Sequence, residues 1–243
     1  MLNLRIIPRQ KLTAGEADAM LALMRAYFDQ VSTEAFYRDL DEKDWIVLLQ
    51  LADATIVGFS TQKLISLPLA GRTARFLFSG DTIIHHQHWN QPGLAGAFGH
   101  LMLRLIADFP DDELYWFLIS KGPRTYRFLP VFFNDFHPDP LRLDTMCGRF
   151  KRQLDAIAAH KFGGDYQPAA GIVRFSRPKD HLKPEWQQEP HAPDTNPHVR
   201  FFQMANPGWR EGDELACLAP ITHENLNAYA RRVIRATHPV WEC

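Results

Sequence analysis

The apolar positions along this chain change period several times, and each change marks an element. Residues 4–7 form a short apolar run that predicts an opening strand. Met20, Leu21, Leu23, Met24, Tyr27 and Phe28 then recur at helical spacing, so residues 16–30 are predicted helical, with Thr13 and Glu16 as a capping box at the start. A second helix is predicted over 33–40. Polar Asp41-Glu42-Lys43-Asp44 separates it from three strands, 45–51, 55–67 and 73–86. Asp53-Ala54 and Pro68-Leu69-Ala70-Gly71 join them with the turn chemistry of an antiparallel meander.

The third of these strands breaks at Asn90-Gln91-Pro92-Gly93-Leu94-Ala95-Gly96 and passes into a helical run, AFGHLMLRLIA. First-turn backbone N–H groups of a helix have no intrahelical partner and point outward, so strand, turn and helix together make a phosphate seat. Gly93, Ala95 and Gly96 keep side chains away from those donors. A plain connector is the alternative, and for a short motif taken alone it is the commoner one. A strand at 114–120 follows, then a helix carrying Arg124-Thr125-Tyr126-Arg127-Phe128-Leu129.

Beyond Pro140 the character shifts. Residues 141–162 read as one amphipathic helix, with Phe150, Leu154, Ile157 and Ala158 at helical spacing and Gly163-Gly164 at its end. Residues 163–207 hold seven prolines and predict a long irregular excursion. Two strands, 199–204 and 214–218, and a closing helix over 225–236 complete the chain. The expected organisation is a core over 1–140, a helix and proline-rich insertion over 141–198, and a final strand pair with its helix over 199–243.

Composition narrows the classes. With 243 residues, 46% of them hydrophobic and 23% charged, the chain is long enough to bury a full core. Its net charge of −1, with Lys and Arg scattered, gives no reason to expect nucleic acid as a partner. Cys147, Cys217 and Cys243 lack metal-type spacing and fit reduced thiols in the cytoplasm. No apolar run approaches the roughly 18 residues of a membrane span, and no signal-peptide layout opens the chain, so a soluble, cytoplasmic protein with no membrane association is expected.

Candidate chemistry gathers before the turn. Asp81 and His85 are four apart on a predicted strand and share a face, so the carboxylate can orient an imidazole that takes a proton near neutral pH. A structural hydrogen-bonding role for Asp81 is at least as well supported. His85, His86, His88 and His100 raise a metal site, but alternation sends His85 to the opposite face from His86 and His88, and no metal is expected. Arg124 and Arg127 share one helix face beside Tyr126 and suit an anion. The aromatic residues nearby, among them Trp89, Trp116, Phe128, Phe132 and Phe133, read as core, with some available to line an acyl pocket.

In its order of elements the first part of the chain resembles a GNAT-type N-acyltransferase. That family marks its turn with Gln or Arg, two residues, Gly, one residue, then Gly or Ala; here the turn reads Asn90-x-x-Gly93-x-Ala95, departing at the first position. The resemblance implies an α/β fold with a mixed, mainly antiparallel central sheet flanked by helices, interrupted here by the helical and proline-rich insertion. It implies direct attack of a small-molecule amine on a thioester, with acyl-CoA or acyl-phosphopantetheine on an acyl carrier protein as co-substrate. The acyl-pantetheine arm would lie between His85-His86-Gln87 and the strand at 116–119, against exposed backbone. Tyr126 would protonate the departing thiolate; a buried ring with a satisfied hydroxyl is the equal alternative for it. Asn90 in place of a long donor fits one phosphate better than two, which makes a carrier-protein thioester a competitor to acyl-CoA, with Lys121, Arg124 and Arg127 placed to meet an acidic partner. The opposing class is a non-catalytic acyl-CoA or pantetheine binding module on the same fold.

Overall fold

The computed structural model describes residues 2–89, 91–142, 147–176, 180–186 and 196–242. Its strands are β1 (Asn3–Pro8), β2 (Phe28–Asp29), β3 (Trp45–Gln50), β4 (Ile56–Leu69), β5 (Arg72–Ile84), β6 (Glu113–Ser120), β7 (Tyr166–Gln167), β8 (Ile172–Val173), β9 (His181–Leu182), β10 (Glu214–Pro220) and β11 (Val240–Trp241). Its helices are α1 (Ala14–Tyr27), α2 (Thr33–Asp41), α3 (Gly93–Asp108), α4 (Pro123–Tyr126), α5 (Phe128–Phe132), α6 (Cys147–Phe162), α7 (Pro197–Ala205) and α8 (Ala228–Arg235). Nine strands form one sheet in the order β11-β1-β3-β4-β5-β6-β10-β8-β7. The meander β3-β4-β5 is antiparallel as predicted, and β1 and β10 also pair antiparallel with their inner neighbours. Parallel pairing occurs at β5–β6, which needs the α3 crossover, and at β1–β11. The expected mixed, mainly antiparallel sheet flanked by helices is therefore present.

Two cores follow from the alternation of the strands. On one face Leu77, Trp116, Leu118 and Cys217 meet α3, α5, α7 and α8. On the other, Ile46, Leu48, Phe59 and Ile83 meet α1 and α2, while Phe76, Phe78, Phe117 and Leu218 meet α6. Local chemistry fixes the helix starts. Thr13 and Glu16 form the predicted capping box, with Thr13 N donating to Glu16 Oε2 at 2.9 Å and Glu16 N to Thr13 Oγ1 at 3.2 Å. The Asn227 side chain accepts from Ala230 N, so the closing helix begins at Ala228, later than expected.

Three expectations need correction. Residues 199–204 are helical, not a strand: Asn196 Oδ1 accepts from His198 N at 3.0 Å, and Pro197 supplies a preset φ at the first helical position. The strand on the far side of β10 from β6 is instead β8, from within the proline-rich stretch. The helix expected over 141–162 runs from Cys147 to Phe162; residues 143–146 lie outside the described residues. β11, unforeseen in sequence, lies beside β1 and is pinned by Arg5 Nε on Glu242 Oε1 at 2.7 Å.

Candidate functional site

β5 is bulged at the centre of the sheet. It pairs with β4 as Gln62↔Ser79 and Ser60↔Thr82, so Gly80 and Asp81 stand opposite Thr61 alone. Parallel pairing with β6 runs from Ala74↔Glu113 to Ser79↔Leu118, after which the strands part. The parting therefore begins at the bulge, several residues before the histidines where the sequence placed it. Gly80 is required there, because a Cβ would press on Thr61 Oγ1 and on the Lys43 side chain. A cavity of about 1220 Å³ occupies the opening and is lined from both faces. It exceeds the roughly 300–1,000 Å³ of a single small-ligand pocket, enough for two substrates to meet.

On the α3 face, the helix begins at Gly93 after Pro92, and its first internal bond is Gly96 N to Pro92 O at 2.8 Å. The N–H groups of Gly93, Leu94 and Ala95 precede that bond, and Leu94 and Ala95 line the cavity. Gly96 has a packing reason that the sequence does not reveal, whereas Gly93 has room for a Cβ. A Cβ on Gly93 would touch Leu4 and Leu49 at 3.4 and 3.5 Å, and one on Gly96 would overlap Thr237. Gln91 is exposed, with its N–H on His88 O at 3.0 Å; Asn90 lies outside the described residues. At the mouth, the Arg124 guanidinium stacks 4.0 Å over the Trp89 ring.

A hydrogen-bonded chain that sequence reasoning missed crosses this face at the parting. Trp116 Nε1 donates to Ser79 Oγ at 2.8 Å, Ser79 Oγ to Gln62 Oε1 at 3.0 Å, and Gln62 Nε2 to Ser60 Oγ at 2.6 Å. Ser60 Oγ lies 2.6 Å from Thr82 Oγ1. Either hydroxyl can donate in that bond, because Ser60 Oγ can accept from Gln62 and still either give its proton to Thr82 or accept a second one. In the arrangement where Ser60 donates, the Thr82 hydroxyl ends the chain as a donor, with Gly80 O a long 3.5 Å away.

The opposite face is charged. Lys121, just past β6, pairs with Asp180 and lies 3.9 Å from Glu214 Oε1, with Phe28 under its ammonium at 4.9 Å. Burial alone would lower the Lys121 pKa, but Glu214, Asp180 and Asp81 outweigh it and hold the ammonium above its ordinary range. Asp81 lines this side at the bulge together with Asp39 and Asp165. Lys43 Nζ meets Asp39 at 2.8 Å. Lys121 is thus committed inside the protein and does not face a partner, contrary to the sequence expectation; Arg127 remains exposed at the rim.

Tyr126 is corrected as well. Its ring is fully buried against Phe136, Phe201 and Phe202, and its hydroxyl donates to Pro138 O at 2.7 Å. Burial, then the nearby Cys217 and Asp139, push its pKa up. The cavity lining includes Asp81 but not Tyr126, His85, His86 or Gln87. β5 ends at Ile84, so the strand alternation invoked for Asp81 and His85 stops short of the histidines. Burial, then His86 and His88, lower the His85 pKa. The Tyr27 hydroxyl lies 3.0 Å from His86 Nδ1, while His100 Nε2 lies 2.7 Å from Thr237 O at the end of α8. Among the described residues no three His, Cys, Asp or Glu side chains are grouped as a metal site requires, and no helix is long and apolar enough to cross a membrane.

No family model and no curated protein matches this chain. Among solved structures it is similar to a conserved Enterococcus faecalis V583 protein described as a probable N-acyltransferase, at 13% identity over 56% of this chain and 33% of that one, with a TM-score of 0.43. It is similar to the GNAT family N-acetyltransferase YhbS from Escherichia coli in complex with CoA, at 12% identity over 52% and 67%, TM-score 0.40. A GCN5-related N-acetyltransferase from Kribbella flavida aligns at 12% identity over 56% and 34%, TM-score 0.40. The chain thus spans about a third of the length of the first and third of these. Likenesses this partial carry no argument about reaction or ligand, which rests on the residues of the site. Of these three structures, one is described as a probable N-acyltransferase and two as N-acetyltransferases of the GNAT or GCN5-related type.

Proposed function

We propose that this protein is an N-acyltransferase that moves an acyl group from a thioester donor, acyl-CoA or an acyl carrier protein, to the amine of a small molecule by direct attack. One observation carries the reading: the opening between β5 and β6 joins the first turn of α3 on one face to a carboxylate-lined chamber on the other. Donor phosphate would sit on the N–H groups of Leu94 and Ala95, with Arg124 and Arg127 beside it. The acceptor would arrive as an ammonium drawn by Asp39, Asp81 and Asp165. Once a proton has passed to Asp81, its nitrogen bonds to the thioester carbon as the C–S bond breaks. The departing thiolate is steadied by a hydrogen bond from Thr82, in the role that Tyr126 is too deeply buried to fill, and takes up the second proton shed by the attacking nitrogen, leaving as free thiol.

Titration of the protein with CoA tests the donor half. Ala95→Asp puts a carboxylate in the first turn, where it favours the helix and repels phosphate. The variant should keep its Tm and bind CoA at least about tenfold more weakly; undiminished binding would remove the phosphate seat. The commitment of Tyr126 to Pro138 favours the second reading, a binding module without catalysis. Release of free thiol from acyl-CoA only when an amine is supplied excludes it. The same acyl group on each carrier, compared by kcat/KM, separates CoA from carrier protein.

A further inference from the structure

Resting on that donor reading, we infer that the acyl group is a medium or long hydrocarbon chain and that a pouch between α3, α5 and α8 holds it. On the sheet the polar side chains of this face include Ser60, Ser79 and Thr82, and Arg124, Thr125 and Arg127 stand on and just after α4. Deeper in, the walls are carbon: Phe98 and Met102 from α3, Phe128 and Phe132 from α5, and Leu226 and Ile234 beside them. A pantetheine arm carries two amides, and burying them against such walls without partners is costly, whereas the hydroxyl chain and the parted strands can satisfy them. The pouch therefore lies beyond the thioester, where only the acyl group reaches.

α8 closes the far end. A Cβ on Gly99 would overlap Ile234, so α8 lies close against α3. Ala230, small and fully buried, is the α8 residue packed at this wall. Apolar walls of this kind give water few partners and take hydrocarbon readily. Acetyl would leave it unfilled. The chamber on the other face also has carbon in its lining, Phe28, Phe36, Phe78 and Phe162 among it, but an acyl chain there would lie against the ionised Lys121, Asp180 and Glu214.

The test is calorimetric titration of the full chain with CoA, acetyl-CoA, octanoyl-CoA and dodecanoyl-CoA. Octanoyl-CoA should bind at least about tenfold more tightly than acetyl-CoA, within a ceiling of about fourfold per buried methylene. Ala230→Phe should bring octanoyl-CoA back to the affinity of acetyl-CoA. Equal affinities for acetyl-CoA and octanoyl-CoA in the wild-type protein overturn the inference while leaving the donor reading intact. An increment that persists in folded Ala230→Phe overturns the pouch as its source, and if that variant does not fold the wild-type series decides alone. Failure of CoA and every thioester to bind removes the donor reading, and the inference with it.

Discussion

The two walls of the opening between β5 and β6 are built from opposite chemistries. On the α3 face the groups at the parting are neutral, a relay from Trp116 through Ser79, Gln62 and Ser60 to Thr82, backed by aromatic and aliphatic carbon. On the α1, α2 and α6 face they are ionised, with Lys121 held among Asp180, Glu214 and Asp81. A single bulge produces this division, because the extra residue at Gly80-Asp81 turns Asp81 to one side and Thr82 to the other. On the proposed reading the donor would lie on the α3 face and the acceptor on the ionised face, and the two would meet where the strands part.

The charged wall is where substitution costs most. Lys121→Met leaves Asp180 and Glu214, the latter 2% exposed, without their ammonium. Breaking a buried ion pair costs about 3–5 kcal/mol, and the partial exposure of Lys121 favours the lower end. We expect Tm to fall by roughly 6–12 °C at about 2–4 °C per kcal/mol in a chain of this size. Adding Asp180→Asn should restore part of it. A Lys121→Met protein as stable as the wild type would mean that the ammonium is solvated and the two walls differ less than their geometry indicates.

The neutral wall should instead show its importance in rate. Thr82→Val removes the terminal donor of the relay while keeping its shape, and kcat should fall at least about tenfold, toward the lower end of what a positioned acid or donor contributes. Thr82→Ser should restore most of the rate. Changes confined to KM would show ordinary binding and remove Thr82 from the chemistry.

How much of this was legible depends on how local the signal is. The meander, the α3 crossover and the capping box at Thr13 rest on neighbouring residues and are readable in sequence. Asn196-Pro197 is also a readable helix start, but the apolar run at 199–204 suggests a strand when taken alone. Gly80 inside a strand is the available sign of the bulge. The acceptor wall has no such sign, because Asp39, Asp81, Lys121, Asp180 and Glu214 come from five separated segments that only the fold brings together. The Tyr126 hydroxyl was misjudged for the same reason: its acceptor, Pro138, lies on a loop twelve residues on.

Tyr126 gives the next and smaller effect. If its hydroxyl serves the core, Tyr126→Phe loses one hydrogen bond and leaves the Pro138 carbonyl short of a partner, costing about 1 kcal/mol, or roughly 2–4 °C in Tm. Turnover should stay at the wild-type level. A large loss of kcat with unchanged Tm would return Tyr126 to the site and weaken the case for Thr82.

The smallest effect is on the pH dependence of stability, and it also separates the two faces. Lys121 has a raised pKa, so its contribution is complete below the ordinary lysine value and is lost only as pH rises through the folded value, far above neutrality. It gives no slope in the neutral range. His198 behaves oppositely: burial, and then Arg127, hold its pKa down against the pull of Asp139. Stability from a depressed group is present above its unfolded value near 6.5 and declines as pH falls through the folded one. His198 packs beside Tyr126 and Phe136, and its buried Nδ1 has no hydrogen-bond partner among the described residues, so a second ring proton would be buried without an acceptor. His85 and His137 are depressed in the same direction, each first by burial. Carboxylates titrate mainly below about pH 4.5, which leaves the interval from about 7.5 to 5.5 to histidine. Across it Tm should drop by a few degrees, and His198→Gln should flatten that drop. A slope unchanged by His198→Gln would assign it to His85 at the β5 end or to His137 beside β10.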